Sequence, residues 1–190
     1  MADNRSVLSS YEKQFTYYRS LGDKSFSQID DEALFSRSST EDNSIAIIVK
    51  HLWGNMLSRW TDFLSSDGEK EWRKRDEEFI SEFKNRDQVL MLWNEGWECL
   101  FGALSQLDDS MLSKDILIRN QKHSVLEAIN RQLAHYAYHV GQIVLLAKAN
   151  RGTSWESLSI PRNKSASFNK EKFSKGLSNS HYTDEWIDEN

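Results

Sequence analysis

A single proline, Pro161, stands in 190 residues, so no pyrrolidine ring removes a backbone donor or breaks a helix anywhere before it. Glycine is scarce too, at 8 residues. Against this background, apolar residues recur every three or four positions over long segments, and strand-like alternation is hard to find. The chain reads as all-α. No composition break asks for a second domain at this length.

Four long helices are expected. The first spans residues 4–22, with Val7, Leu8, Tyr11, Phe15, Tyr18 and Leu21 on one face and Gly22 as its C-cap. Ser27 to Phe35 reads either as a short helix anchored by Ile29, Leu34 and Phe35 or as a connector. Ser44 is the N-cap of a second long helix over 45–64, whose core face carries Ile45, Ile48, Val49, Leu52, Met56, Trp60, Phe63 and Leu64. The third covers 86–107, with Trp93, Trp97, Phe101 and Leu104 as an aromatic stripe. The fourth covers 123–150, with Ile129, Leu133, Tyr136, Val140, Ile143 and Ala147 inward. Residues 116–118 could run extended.

Between the second and third helices, residues 67–87 mix acids and bases, a pattern of solvated loop and surface helix. Trp72, Arg73 and Arg75 in this loop could instead fold over the end of the helices and bring a cation near a bound anion. After the fourth helix comes a polar stretch with anchors at Trp155, Leu158, Ile160 and Phe168, expected to pack back, and then a mobile end.

Net charge is −5 and interspersed, which disfavours nucleic acid as a partner. The lone Cys99 fits a buried thiol in a reducing compartment. With no secretory leader and no long apolar run, the expected location is cytoplasmic, with no membrane partner. Large aromatics in excess of what one small core hides, Trp93 and Trp97 among them, predict a homodimer.

His135 and His139 lie four residues apart, so their imidazoles project from one helical face about a turn apart. They sit at the edge of the apolar stripe, with Arg131, Gln132 and Gln142. Such a pair can be two helix histidines bonded to their neighbours, or half of a first-row metal site. Two ligands do not decide. His51, on the border of the second helix's core face with Asn55 one turn and Arg59 two turns on, is the best placed third. His123 lies about 18 Å before His135 if the fourth helix is continuous, and His181 falls in the polar tail. Three imidazoles leave positions open for water or substrate, as catalytic zinc sites do.

The segments IIVKHLWGNMLSRWTDFLSSDGEKEWRKRDEEF around His51, AHYAYHVGQIVLLAK around His135 and His139, and WESLSIPRNKSASFN further on resemble the DinB-like (YfiT-like) superfamily. Within it they resemble a bacterial branch known as a domain of unknown function. The likeness runs from about residue 44 to 169. It implies a DinB-like four-helix bundle with a long crossover connection over residues 1–170, a polar tail over 171–190, and frequent homodimers. It also implies a divalent metal, Zn or Ni, on His51, His135 and His139. Superfamily relatives include S-transferases that use a low-molecular-weight thiol such as bacillithiol, a thiol-dependent isomerase, and proteins described as metal-dependent hydrolases. The expectation is therefore a metal-dependent enzyme acting on a small-molecule substrate, with bacillithiol-type S-transfer first. Asn55 and Arg59 are its candidate catalytic residues, and Arg59, Arg73 or Arg75 could clamp an anion. The alternatives are a metal-dependent hydrolase, which would want a carboxylate base near the metal, and a non-enzymatic stress-associated metal-binding bundle.

Overall fold

The structure, a computed structural model, describes residues 6–80, 83 and 85–187. It is mostly helical, with one two-stranded hairpin among the described residues. Four long helices, α1 (Val7–Phe26), α3 (Ile45–Trp60), α4 (Arg86–Leu104) and α5 (Val125–Arg151), are joined by the short α2 (Asp31–Phe35) and followed by α6 (Ser165–Ser174). Both α1 and α3 pack against α4 and α5. No helix is long and apolar enough to cross a membrane.

Local chemistry sets the helix ends. Ser6 caps α1, and Asp109, about a hundred residues on, accepts from Val7 N and Leu8 N at 3.0 Å each and from Ser6 Oγ at 2.8 Å. It thereby satisfies donors that have no partner in the first turn. Residues 4 and 5, at the expected start of this helix, lie outside the described residues. Its expected end is corrected: Gly22 is inside α1, not its cap, because an added Cβ there would sit 2.3 Å from Cζ2 of Trp93. The glycine serves close packing. Ser44 caps α3 as expected, but α3 stops at Trp60, four residues short of Leu64. Asp62 then takes a positive φ of 47°.

Trp93 is 2 % exposed, and Trp97 and Tyr136 are fully buried. Phe15, Trp97 and Tyr136 meet with ring centroids 5.9–6.4 Å apart in tilted or edge-on geometry, a favourable arrangement for aromatic quadrupoles. Trp93 and Trp97, two of the aromatics behind the expected dimer, are thus buried inside one chain.

The extended stretch is a hairpin, β1 (Asp115–Ile118) paired antiparallel with β2 (Gln121–Ser124). Arg119 and Asn120 form its two-residue turn with φ of 54° and 58°, the pattern of a type I′ turn. An arginine rarely adopts this conformation. Asp67 holds it there by accepting both turn amides, Arg119 N at 2.8 Å and Asn120 N at 2.7 Å. His123 therefore lies on β2, not on a helix continuous with His135, and the helical spacing used to exclude it does not apply. Ser124 and Glu127 form a capping box that opens α5 only at Val125.

Candidate metal centre

His51, His135 and His139 converge. One ring nitrogen from each lies within 4.8 Å of the others, and Nε2 of His51 is 3.2 Å from Nε2 of His135. Nitrogens bound tetrahedrally to one zinc at ~2.0–2.1 Å would stand about 3.4 Å apart, so the donor set and its spacing fit a divalent ion. His123, half-buried on β2, has Arg131 Nη1 3.5 Å from its Nε2, and His181 Nε2 meets Ser10 Oγ on α1 at 3.1 Å. Neither joins the cluster.

The rings are fixed from behind. Nδ1 of His51 donates to Glu78 Oε2 at 2.9 Å, and Nδ1 of His139 donates to Gln142 Oε1 at 2.8 Å. Each bond puts the proton on Nδ1 and leaves Nε2 as the bare lone pair, the usual role of an outer partner to a metal-ligating histidine. A bare Nε2 on His51 facing His135 at 3.2 Å requires something electropositive between them, either a proton on His135 or a shared cation. Phe79 stacks on the His51 ring at 5.0 Å and shields its outer face.

Burial pushes the pKa of His135 down to about 3, helped by the neighbouring His139 and His51. Burial likewise brings His139 down to about 4, against the opposing bond from Gln142. Both imidazoles are neutral near pH 7, as ligands must be. Burial alone would raise the Glu78 carboxyl, but its bonds to His51 and Arg73 hold it below the usual carboxylate range.

Glu78 is the residue that sequence reasoning missed. It lies 4 % exposed at the end of a 3-10 turn over Arg75–Phe79, where Arg73 Nε and Nη2 grip its two oxygens at 2.8 and 3.1 Å. Gly54 on α3 makes room for it: a Cβ at 54 would come within 2.4 Å of Glu78 Oε1. Nothing in the run Asp76, Glu77, Glu78 distinguishes the buried acid from its exposed neighbours. The reading of 67–87 as solvated loop and surface helix is corrected here, since the Arg73 and Glu78 side chains are only 2 % and 5 % exposed. Trp72, by contrast, is 55 % exposed and stays away from the histidines.

A cavity of about 310 Å³ opens beside the three histidines, bordered also by Asn55, Gln132 and Phe79 and by Arg59, Arg73, Arg75, Arg119 and Arg131. Tyr136 Oη receives Trp60 Nε1 at 3.0 Å and donates to Asn55 Oδ1 at 3.1 Å. The Asn55 oxygen is thereby tied, and its amide NH₂ is what it can offer a ligand. Arg59 is spent on architecture: Nη1 donates to Ser58 Oγ and the Gly68 carbonyl, and Nη2 to Glu69 at 3.1 Å. Burial and the adjacent Arg73 lower its pKa.

No curated protein and no solved structure matches the chain. Residues 3–164 match a family model described as Protein of unknown function (DUF1572), a span that includes all three histidines, Glu78 and every arginine of the cavity. The chain belongs to that family.

Proposed function

We propose that this protein is a metal-dependent enzyme of the DinB-like superfamily that activates a low-molecular-weight thiol, of the bacillithiol type, for S-transfer. The ring of contacts from α1 to α4, α3, α5 and back to α1 supports a four-helix bundle. Since α1 and α3 are not neighbours in this ring, the connection through α2 crosses the bundle. The observation that carries the reading is the convergence of three imidazoles at an open cavity. His51, His135 and His139 would hold a divalent ion, Zn first and Ni next by ligand type. Bound there, the ion supplies Lewis acidity that ionises a thiol at neutral pH.

The chain's own groups do the rest. Glu78 and Gln142 keep the ligating nitrogens bare, Phe79 excludes water from one side, and the Asn55 amide is placed to orient a ligand's polar group. In the transfer, the thiol proton passes to solvent and the sulfur electron pair forms the new C–S bond. The electrophile's leaving group departs with its bonding pair. Among the described residues no carboxylate borders the cavity, and Glu78 behind His51 is engaged by His51 and Arg73. A hydrolase working through a carboxylate base is thereby disfavoured. A non-enzymatic metal-binding bundle needs no cavity beside the ion, so the cavity favours catalysis. The test is zinc- or nickel-loaded protein assayed for thioether formation from bacillithiol and an alkylating electrophile. Turnover that disappears in His139→Ala supports the reading; wild-type protein no faster than free metal refutes it.

A further inference from the structure

The cavity beside the histidines is cationic far beyond what holding a metal needs. Among the described residues, five arginines border it and no Asp or Glu does, although the chain as a whole carries −5. They come from α3, the 67–79 loop, the hairpin turn and α5, so the fold gathers them from four places. Three carboxylates pair with them. Glu69 takes Arg59 and Arg119, Glu78 takes Arg73, and Asp76 stands 4.0 Å from Arg75. Among the described residues, five guanidiniums against these three carboxylates leave an excess of two positive charges.

The arginines divide by what their donors already do. Arg59 and Arg73 are buried and bonded into the framework. Arg75 and Arg119 are about half exposed, and Arg131 is exposed with its Nη1 3.5 Å from His123 Nε2. A guanidinium has five N–H donors, so these three retain most of theirs among the described residues. Arg119 reaches the rim only because Asp67 holds its backbone at positive φ. Two deeply buried side chains that border the same cavity also lack a partner at one atom: Nε of Arg59, whose side chain is 5 % exposed, and Oε1 of Gln132, at 2 %. Unpaired buried polar atoms are rare in native structures and call for an explanation such as a ligand.

We propose that the substrate of this site is a small molecule carrying a carboxylate or phosphate group, which Arg75, Arg119 and Arg131 grip at the rim while its reacting end reaches the three histidines. This rests on the reading of the site as catalytic, but the binding it claims does not need the metal. Both oxyanions offer the paired acceptors that a guanidinium fork fits. The size of the cavity suits a metabolite, not a polymer.

The test is titration calorimetry on chelator-treated, metal-free protein at low ionic strength with inorganic phosphate, inorganic pyrophosphate and succinate as probes. At least one should bind, more weakly as salt is added. Phosphate or pyrophosphate binding assigns a phosphorylated substrate, and succinate binding alone a carboxylated one. Arg75→Gln and Arg131→Gln change exposed side chains and should fold normally, each raising Kd about tenfold, the factor that loss of a charged hydrogen bond brings. Absence of binding by all three probes, binding unchanged in the Arg75→Gln/Arg131→Gln double variant, or binding only when metal is present would each overturn the proposal. The last outcome would leave the metal site standing, whereas anion binding by a protein that never takes up metal would sustain the anion site alone.

Discussion

Two polar stretches of similar composition, the 67–79 loop and the segment after α5, end up in opposite environments. In the loop, Arg73 and Glu78 are nearly inaccessible, and their carboxylate–guanidinium pair backs His51 of the three-histidine cluster. In the second, α6 has no buried residue and Phe173 is 84 % exposed. The chain beyond it lies along α1 through Lys13–Asp184 at 2.7 Å and Lys24 Nζ to the Trp186 carbonyl at 2.7 Å, and Trp186 stacks on Phe168 of α6 at 5.8 Å. Charge content therefore does not decide burial. What decides it is whether the helices offer a buried counter-group and a gap: α3 offers Glu78 the His51 Nδ1 and the bare backbone at Gly54, whereas α1 offers the tail the partly exposed Lys13 and Lys24. Exposed ion pairs of that kind contribute little.

The sharpest way to break this comparison is Glu78→Ala. It strips the acceptor from both His51 and Arg73, so it should cost about 3–5 kcal/mol of stability, as removal of one member of a buried pair does. It should also weaken metal binding about 10- to 100-fold. Denaturant melts and metal titrations check both, with Asp184→Asn as the tail counterpart expected to leave both at wild type. Equal effects from the two variants would erase the distinction.

Gly54→Ala asks the same question more gently. Alanine is the better helix former by about 1 kcal/mol, yet its Cβ would meet Glu78 Oε1 at 2.4 Å. Overpacking of about 1–3 kcal/mol should win, with a loss of metal affinity smaller than that of Glu78→Ala. A more stable variant with unchanged affinity would mean that Glu78 is not held against α3.

The histidines give the centre a pH signature that the tail lacks. His135 and His139 titrate at about 3 and about 4 when folded and at 6.5 when unfolded, so below pH 6.5 the unfolded chain binds protons that the folded one refuses. Stability of metal-free protein should fall from pH 6.5 to about 3, with no contribution from these groups above 6.5. His139→Gln should flatten the profile, and denaturant midpoints across that range measure it. The smallest effect is expected from deleting residues 176–190. Metal affinity should be unchanged, and the melting temperature should drop only slightly, because surface contacts on α1 are lost.

Much of this was legible in sequence because periodicity reports burial faces directly. Ile129, Tyr136, Val140, Ile143 and Ala147 were placed inward and are buried, and His135 and His139 followed from their spacing. Element ends were less legible, because a glycine can serve close packing as well as a cap: Gly22 lies inside α1 against the Trp93 indole. The outer ring of the site was the least visible. Glu78 has the same local sequence character as Glu77 and is singled out only by what α3 presents to it. Arg119 reaches the cavity through a turn whose conformation depends on Asp67, about fifty residues earlier.

The most direct test of the metal centre is elemental analysis of protein produced without an affinity tag, comparing wild type with His51→Ala, His135→Ala and His139→Ala. One divalent ion per chain is expected in the wild type. Each variant should lose it while the helical circular dichroism is largely retained, since apolar packing holds the helices. Full wild-type metal content in all three alanine variants would contradict the assignment.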